Sequence, residues 1–378
     1  MPTPDNPFLA LAAPGLPGLH PYVPGKPVSE LERELGIRDS IKLASNENPL
    51  GPGPKARMAV AAAMAEAIEN LGRYPDGGGF ALRRALAERH GLDPAAITLG
   101  NGSNDVLDLV ARTFLQPGTE SVFSEHAFAV YPIATQAVGA TARIAPARDY
   151  GHDLDAMGTL VNRHTRVVWI ANPNNPTGTW LPAAPLRALL ASLPTTCIAV
   201  VDEAYSEYVQ APDYPDTSTW LDAFPNLIVT RTFSKVHGLA ALRIGYGVSD
   251  PRIAELLNRV RQPFNVNTPA QLAALAALAD VDHVRDSVAL NDTGLAQLAA
   301  GFERLGLSYI PSVGNFITVD LGRPAGPVDR DLLRAGCIAR PIANYGLPNH
   351  LRVSVGLAAE NARLLTALVA ALASVPDR

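Results

Sequence analysis

A lysine and three groups that can bind an anion follow one apolar run of the chain. Residues 227–230 form that run and predict a buried strand. Lys235 comes soon after it, and a partly desolvated lysine has a lowered pKa and can act as an amine nucleophile. Thr232, Ser234 and Arg243 can donate hydrogen bonds to one phosphate. Together they favour a Schiff base with a phosphorylated aldehyde such as pyridoxal phosphate, although Lys235 alone is more simply interpreted as a surface lysine.

A carboxylate follows a second apolar run, at residues 197–201. Asp202 comes directly after this run, where an unpaired carboxylate is costly to bury. A protonated pyridine nitrogen would be a suitable partner, since the pair would keep the ring an electron sink. Tyr205 lies three residues further on and could bind the ring oxygen. The alternative for Asp202 is an ordinary cap at the end of a strand.

A glycine-rich turn opens a predicted helix between residues 106 and 115. The turn spans residues 100–105 and contains Ser103 and Asn104. The backbone N–H groups and the positive dipole end of a helix N-terminus suit a phosphate. Without further context, a plain N-cap is the simpler interpretation of either residue.

Composition excludes several classes of protein. The 378 residues are 47% hydrophobic and 18% charged, which is typical of a globular chain, and the net charge of −5 gives no footprint for nucleic acid. Two cysteines argue against a disulfide scaffold, and the eight histidines show no metal-ligand spacing, so we expect no metal. The N-terminus has no basic signal region, and no apolar run approaches the ~20 residues of a membrane span. We therefore expect a cytoplasmic protein.

Apolar strands alternate with helices over most of the chain. This pattern predicts an α/β fold with a mostly parallel central sheet sandwiched by helices. Ligands of such sheets bind beyond the carboxyl ends of the strands, where Asp202 and Lys235 lie. We predict an N-terminal arm at 1–41, a large cofactor-binding domain at 42–268 and a smaller α+β C-terminal domain at 269–378.

Several ordered motifs resemble those of one enzyme family. The segments 172–178 (NPNNPTG), 202–205 (DEAY) and 231–235 (RTFSK), with an arginine eight residues after the lysine, are similar to fold-type I pyridoxal-phosphate aminotransferases. Segments 46–49 (NENP) and 351–356 (LRVSVG) resemble the histidinol-phosphate aminotransferase subgroup. The resemblance runs from about residue 22 to the C-terminus.

The resemblance implies a role for each matching residue. Lys235 would form the Schiff base and move protons, Asp202 would bind the pyridine nitrogen, and Asn175 and Tyr205 would bind the ring oxygen. Phe128 would stack on the ring, and Tyr74 would reach the phosphate site of a second subunit in a homodimer. The cofactor phosphate would be bound by Ser103, Asn104, Thr232, Ser234 and Arg243.

The resemblance also implies a substrate site. Arg352 would grip the α-carboxylate of glutamate, whose planar geometry suits a bidentate arginine. Arg340 would bind the substrate phosphate with Tyr22, and Asn46 would contact the substrate. The predicted reaction is the transfer of an amino group from L-histidinol phosphate to 2-oxoglutarate, in histidine biosynthesis.

Three other functions are left open. An aromatic amino acid aminotransferase would use a similar pocket, and a threonine-phosphate decarboxylase of cobalamin synthesis shares these motifs. A cofactor-binding regulator without turnover is the alternative from another class. Phe264, His237 and Ala241 differ from residues common in the subgroup, and these differences bear on substrate choice rather than on the chemistry.

Overall fold

The computed structural model describes residues 7–22, 25–70 and 72–375. In this part of the chain the helices α1 to α12 are Val28–Leu35, Pro54–Asn70, Phe80–His90, Ser103–Phe114, Val130–Ala137, Leu154–Leu160, Ala183–Ser192, Pro251–Val260, Thr268–Leu278, Val281–Arg304, Ala325–Arg334 and Ala358–Ser374. The strands β1 to β15 are Ile41–Lys42, Ile97–Gly100, Glu120–Ser124, Thr141–Ala145, Ala147–Arg148, Gly151–His152, Thr165–Ala171, Ile198–Asp202, Leu227–Thr232, Gly245–Ser249, Tyr309–Ile310, Phe316–Asp320, Cys337–Ile338, Arg340–Ile342 and Leu347–Ser354.

A seven-stranded sheet in the order β2-β10-β9-β8-β7-β3-β4 forms the centre of the larger part of the fold. Strands β9, β8, β7, β3 and β4 run parallel, and β10 runs antiparallel to both of its neighbours. The buried runs of β7, β8 and β9 are continuous because both faces of the sheet are covered. The predicted sheet and α/β class are therefore confirmed.

Helices cover the two faces of this sheet in separate hydrophobic cores. One core contains Leu107 of α4, Tyr131 of α5 and Leu257 of α8, packed on Trp169 and Val200. The other core is formed largely by α2, α3, α7 and α9. Each core buries one row of alternating strand residues, which fixes the register of the strands and so the side chains at their carboxyl ends.

A second sheet, in the order β11-β12-β15-β14, is antiparallel and packs against α10, α11 and α12. Its core also takes in Leu43, far away in the sequence, and β1 pairs in parallel with β13 through Ile41 and Cys337. Chain near the predicted arm border thus packs with the C-terminal core. The domain borders themselves stay a prediction.

Several elements differ from the pattern predicted by the sequence. Helix α4 begins at Ser103, three residues before the predicted start, because the glycine turn already ends at Gly102. The strand β4 and the hairpin of β5 and β6 were not predicted, since β4 lies at the sheet edge and exposes most of its residues. Without an apolar run or a regular alternation, such an edge strand leaves little signal in a sequence.

Truncation of Leu43 tests whether this segment belongs to the C-terminal core. Leu43 is 2% exposed, so Leu43→Ala should lower the free energy of unfolding by about 2–5 kcal/mol. The matched control Leu35→Ala, at a 43% exposed position, should change it by less than about 0.5 kcal/mol. Denaturant unfolding followed by circular dichroism measures both, and equal midpoints for the two variants would contradict the packing.

Candidate active site

A cavity of about 380 Å³ opens beyond the carboxyl ends of β7, β8 and β9. The strands bring three distant stretches of sequence together there, because parallel strands end at the same edge of a sheet. All the predicted site residues line it except Tyr74 and Arg340. They are Tyr22, Asn46, Ser103, Asn104, Phe128, Asn175, Asp202, Tyr205, Thr232, Ser234, Lys235, Arg243 and Arg352.

Lys235 is half-buried in this cavity. Its Nζ donates a hydrogen bond to the carbonyl oxygen of Ser45 at 3.2 Å and lies 5.4 Å from the centre of the Tyr205 ring. Burial lowers the pKa of Lys235 to about 8, and the positive charge of Arg352 adds to this effect. Near neutral pH the uncharged, nucleophilic form of this amine is therefore far more populated than in an ordinary lysine.

Asp202 ends β8 as a buried carboxylate, only 5% exposed. Tyr131 donates to its Oδ2 at 3.0 Å and Thr230 to its Oδ1 at 2.9 Å. Burial raises the pKa of Asp202 to about 6, while these two hydrogen bonds act in the opposite direction. The two bonds hold the carboxylate in one orientation at the floor of the cavity, where it can bind a cationic group.

Tyr131 is a residue of the site that the sequence reasoning missed. It lies on α5, three residues after Phe128, and stacks on Trp169 with ring centres 5.3 Å apart. Phe128 meets the Tyr131 ring edge-on at 5.9 Å. The only signal was a hydroxyl-bearing aromatic on a buried helix face, which by itself indicates core packing.

The part of the cavity at the N-terminus of α4 is suited to an anion. Ser103 and Asn104 begin α4, and the first N–H groups of a helix have no partner within it. Gly102 adopts a φ of +88°, and a Cβ there would lie 2.3 Å from Nη2 of Arg243. Nη1 of Arg243 donates to Oγ of Ser234 at 3.5 Å. A bare backbone and a guanidinium thus converge at a helix N-terminus, an arrangement that fits a phosphate.

Arg352 lies on β15 and enters the cavity from the second sheet. It is 4% exposed, and it donates to Oδ1 of Asn175 at 2.5 Å and to the carbonyl oxygen of Ala44 at 2.6 Å. These bonds orient the guanidinium. Because Oδ1 of Asn175 accepts from Arg352, the amide donor of Asn175 is turned away from the arginine.

Arg340 and Tyr22 lie together at the rim. Tyr22 lines the cavity and is 47% exposed, and the guanidinium carbon of Arg340 lies 5.6 Å from the centre of its ring. Arg340 itself is half-buried on β14 and does not line the cavity. The structure therefore places Tyr22 in the lining of the cavity, and Arg340 next to the Tyr22 ring but outside the lining.

Tyr74 lies away from the cavity of its own chain. It is 81% exposed and stacks on Phe264, with ring centres 4.5 Å apart and the planes inclined by 15°. Its predicted role concerns the cavity of a second chain.

Two further features of the described residues bear on the kind of site. Among them there is no group of three or more His, Cys, Asp or Glu side chains placed to hold a metal ion. No helix within the same ranges is long and apolar enough to span a membrane.

Comparison with known proteins defines the class. The model of the family described as aminotransferase class I and II matches residues 38–370, and the chain belongs to this family. The chain is 60% identical to histidinol-phosphate aminotransferase 2 of Pseudomonas fluorescens, over 97% of this chain and 98% of the relative. It is also 60% identical to the protein of that name from Pseudomonas aeruginosa, over 97% of this chain and 99% of the relative.

A solved structure supports the same assignment. The histidinol-phosphate aminotransferase of Sinorhizobium meliloti, in complex with pyridoxal-5'-phosphate, superposes with a TM-score of 0.86 at 30% identity. The match covers 93% of this chain and 96% of that one. The family predicted from the sequence motifs is thereby confirmed.

The lowered pKa of Lys235 can be tested by chemical modification of the protein without added cofactor. The rate of acylation of Lys235 should increase with pH along a titration curve whose midpoint is near 8, because only the uncharged amine reacts. In Arg352→Gln the midpoint should move to higher pH, since a neighbouring positive charge is removed. Peptide mass spectrometry resolves the modified site, with Lys235→Ala as the blank. A midpoint near 10 in the wild-type protein would contradict the lowered pKa of Lys235.

Proposed function

We propose that the protein is a histidinol-phosphate aminotransferase that uses pyridoxal phosphate. It would transfer the amino group of L-histidinol phosphate to 2-oxoglutarate, giving imidazole acetol phosphate and L-glutamate in histidine biosynthesis. The observation that carries this proposal is one cavity that is lined by Lys235, with its lowered pKa, by a buried acid and by an anion site. The 60% identity to histidinol-phosphate aminotransferases over nearly the full length of the chain supports the choice of substrate.

The residues that line the cavity fit the cofactor. Its phosphate would be held at the α4 N-terminus by Ser103 and Asn104, with Thr232 at the end of β9 and Ser234 and Arg243 from the segment after it. The absence of a Cβ at Gly102 lets Arg243 approach the backbone closely. Asp202 would bind the ring nitrogen, since a cationic partner compensates the burial of its carboxylate.

Bound pyridoxal phosphate supplies an electron sink for the charge that develops at the substrate Cα and carries the amino group between substrates. In our proposal, Nζ of Lys235 would take the proton from this Cα and return it on the cofactor side. Asp202 would keep the ring nitrogen protonated. Phe128 would stack on the ring, and Asn175 and Tyr205 would donate to the ring oxygen.

Two arginines would bind the two kinds of substrate anion. Arg352 is held by Asn175 and Ala44, so its remaining donors are fixed in position for the α-carboxylate of glutamate. Arg340, behind Tyr22 at the rim, would bind the phosphate of histidinol phosphate. A direct substrate contact of Asn46 stays a prediction, and its side chain is hydrogen-bonded to Tyr205 and Ser354.

A homodimer is part of the proposal. Tyr74 and Phe264 form an exposed aromatic pair, and Phe80 nearby in the sequence is 72% exposed. Exposed apolar surface of this kind is typical of a protein interface. We assign Tyr74 to the phosphate end of the second subunit's cavity, so that each site would be completed by its partner.

A cytoplasmic location is also proposed. Both cysteines of the sequence, Cys197 and Cys337, are buried and unpaired. Unpaired cysteines are typical of a reducing compartment.

Half-reactions distinguish the candidate substrates. The protein loaded with pyridoxal phosphate is mixed separately with L-histidinol phosphate, L-glutamate or L-phenylalanine, without any keto acid. Fast loss of the visible absorption with the first two amines and slow loss with L-phenylalanine is expected, because L-phenylalanine has the α-carboxylate that Arg352 would bind but no phosphate for Arg340. Fastest loss with L-phenylalanine would instead indicate an aromatic aminotransferase. Failure of the wild-type protein to acquire visible absorption with the cofactor would contradict the cofactor assignment.

Substitution of the two arginines should separate the two substrates. Arg340→Gln should raise KM for histidinol phosphate roughly tenfold to a hundredfold, the range expected for a charge-assisted hydrogen bond, and leave the glutamate half-reaction nearly unchanged. Arg352→Gln should impair the glutamate half-reaction more. Arg330→Gln, which removes an exposed charge on the neighbouring α11, is the control and should alter neither. Equal losses for both substrates in Arg340→Gln would contradict its role.

A further inference from the structure

The segment 44–48 lines the cavity and is held by side chains from the second sheet and from the residue just before its strand β12. Arg352 of β15 donates to the carbonyl oxygen of Ala44 at 2.6 Å. Asn315, just before β12, donates to the carbonyl oxygen of Asn46 at 2.9 Å. The backbone of this cavity-lining segment is therefore fixed by strands that carry none of the cofactor-binding loops.

Asn46 has an unusual conformation for a buried residue. Its φ is +55°, in the left-handed region, and it is 1% exposed. Asparagine tolerates this region better than most residues, but the conformation still costs free energy and persists only where the surroundings enforce it. Ser354 provides such an enforcement, because its Oγ accepts the backbone N–H of Asn46 at 2.7 Å.

The donors and acceptors around Asn46 define a single direction. The Ser354 hydroxyl accepts the backbone N–H, so its own hydrogen is available for Oδ1 of Asn46, 3.0 Å away. Oδ1 then faces Ser354, and Nδ2 donates to the hydroxyl oxygen of Tyr205 at 2.9 Å. A tyrosine hydroxyl has one hydrogen, and since its oxygen accepts here, that hydrogen is left for a partner in the cavity.

We propose that Ser354 and Asn46 are positioning residues that fix the direction of the Tyr205 hydroxyl, so that its hydrogen is donated into the cavity toward the ring oxygen of pyridoxal phosphate. The inference rests on the proposed function for its cofactor and is independent of the substrate. It gives Asn46 a task other than substrate binding. The amide acts through Tyr205, which touches the cofactor.

The hydrogen-bond chain from Ser354 through Asn46 to Tyr205, called the relay below, is linked to the substrate site by the position of Ser354 on its strand. Ser354 and Arg352 are two residues apart on β15, so their side chains lie on the same face of the sheet. One rigid strand thus carries both the arginine proposed for the carboxylate and the serine that orients Asn46. Arg352 contacts Asn175, which is one of the two donors proposed for the ring oxygen. Ser354 contacts Asn46, which in turn is bonded to the other donor, Tyr205.

The test is a pH titration of the visible absorption of the cofactor-loaded protein without substrate. A hydrogen bond to the ring oxygen stabilises its negative charge and weakens proton binding at the Lys235 linkage, so loss of that bond raises the pH midpoint. Asn46→Asp places only acceptors opposite Tyr205 and should capture its hydrogen. We expect the midpoint to rise by about one pH unit, a tenfold change in proton affinity, with a smaller rise in Ser354→Ala.

Two comparisons distinguish the relay from a direct effect of the new charge and from a general loosening of the segment. In the Tyr205→Phe background, Asn46→Asp should produce almost no additional shift, because the hydroxyl through which it acts is gone. A persistent shift would show that the new charge acts directly and would overturn the proposal.

The matched control is Ser287→Ala, which removes a buried serine bonded to Asn48 in the same segment. The midpoint of this control should equal that of the wild type, and an equal shift in Ser354→Ala and Ser287→Ala would also overturn the relay.

Because no substrate is present, these outcomes are separate from the test of the proposed reaction. A protein that processes another amino donor would still show the relay, and a histidinol-phosphate aminotransferase could lack it.

Discussion

The burial of the Asp202 carboxylate, in a cavity that also holds an anion-binding helix terminus and Arg243, is the constraint on which the site depends. Asp202 is almost fully removed from water, and its two hydrogen bonds from Tyr131 and Thr230 only partly replace the lost hydration. The raised pKa of Asp202 reflects this incomplete stabilisation of its charged form. A cationic ring nitrogen would stabilise the carboxylate further. The N-terminus of α4 and Arg243 carry positive charge that an anion would balance. A ligand with both a cationic nitrogen and an anionic phosphate would therefore fit this cavity better than a ligand with only one of these charges.

Both sheets of the fold supply side chains to the site. The central sheet supplies Asp202 and Lys235 from the ends of its parallel strands, and the second sheet supplies Arg352 and Ser354 from β15. The segment 44–48 is bonded to both. The packing of Leu43 and the strand pair β1–β13 anchor this segment just before it enters the cavity. The geometry of the cavity thus depends on how the second core is packed.

Much of this arrangement could be predicted from the sequence, since continuous apolar strands place the residues that follow them at one edge of a sheet. That rule brought Asp202 and Lys235 together. Tyr131 and Ser354 could not be found in this way, because each acts through hydrogen bonds to one residue that is distant in the sequence. Tyr74 presents the opposite case. The family resemblance implies its role, but this role concerns a second chain, which the fold of one chain does not specify.

The surroundings of the two proposed substrate arginines differ in a way that suits their tasks. Arg352 is buried and already bonded on two sides, so it loses little conformational entropy when a carboxylate binds. Every glutamate or 2-oxoglutarate brings its carboxylate to the same place next to the reacting carbon. Arg340 lies at the rim behind the half-exposed Tyr22 ring. In histidinol phosphate a methylene and an ester oxygen separate the phosphorus from the reacting carbon, whereas the α-carboxylate of glutamate is attached to that carbon directly. The phosphate would therefore extend further toward the rim than the carboxylate, which suits an arginine placed there.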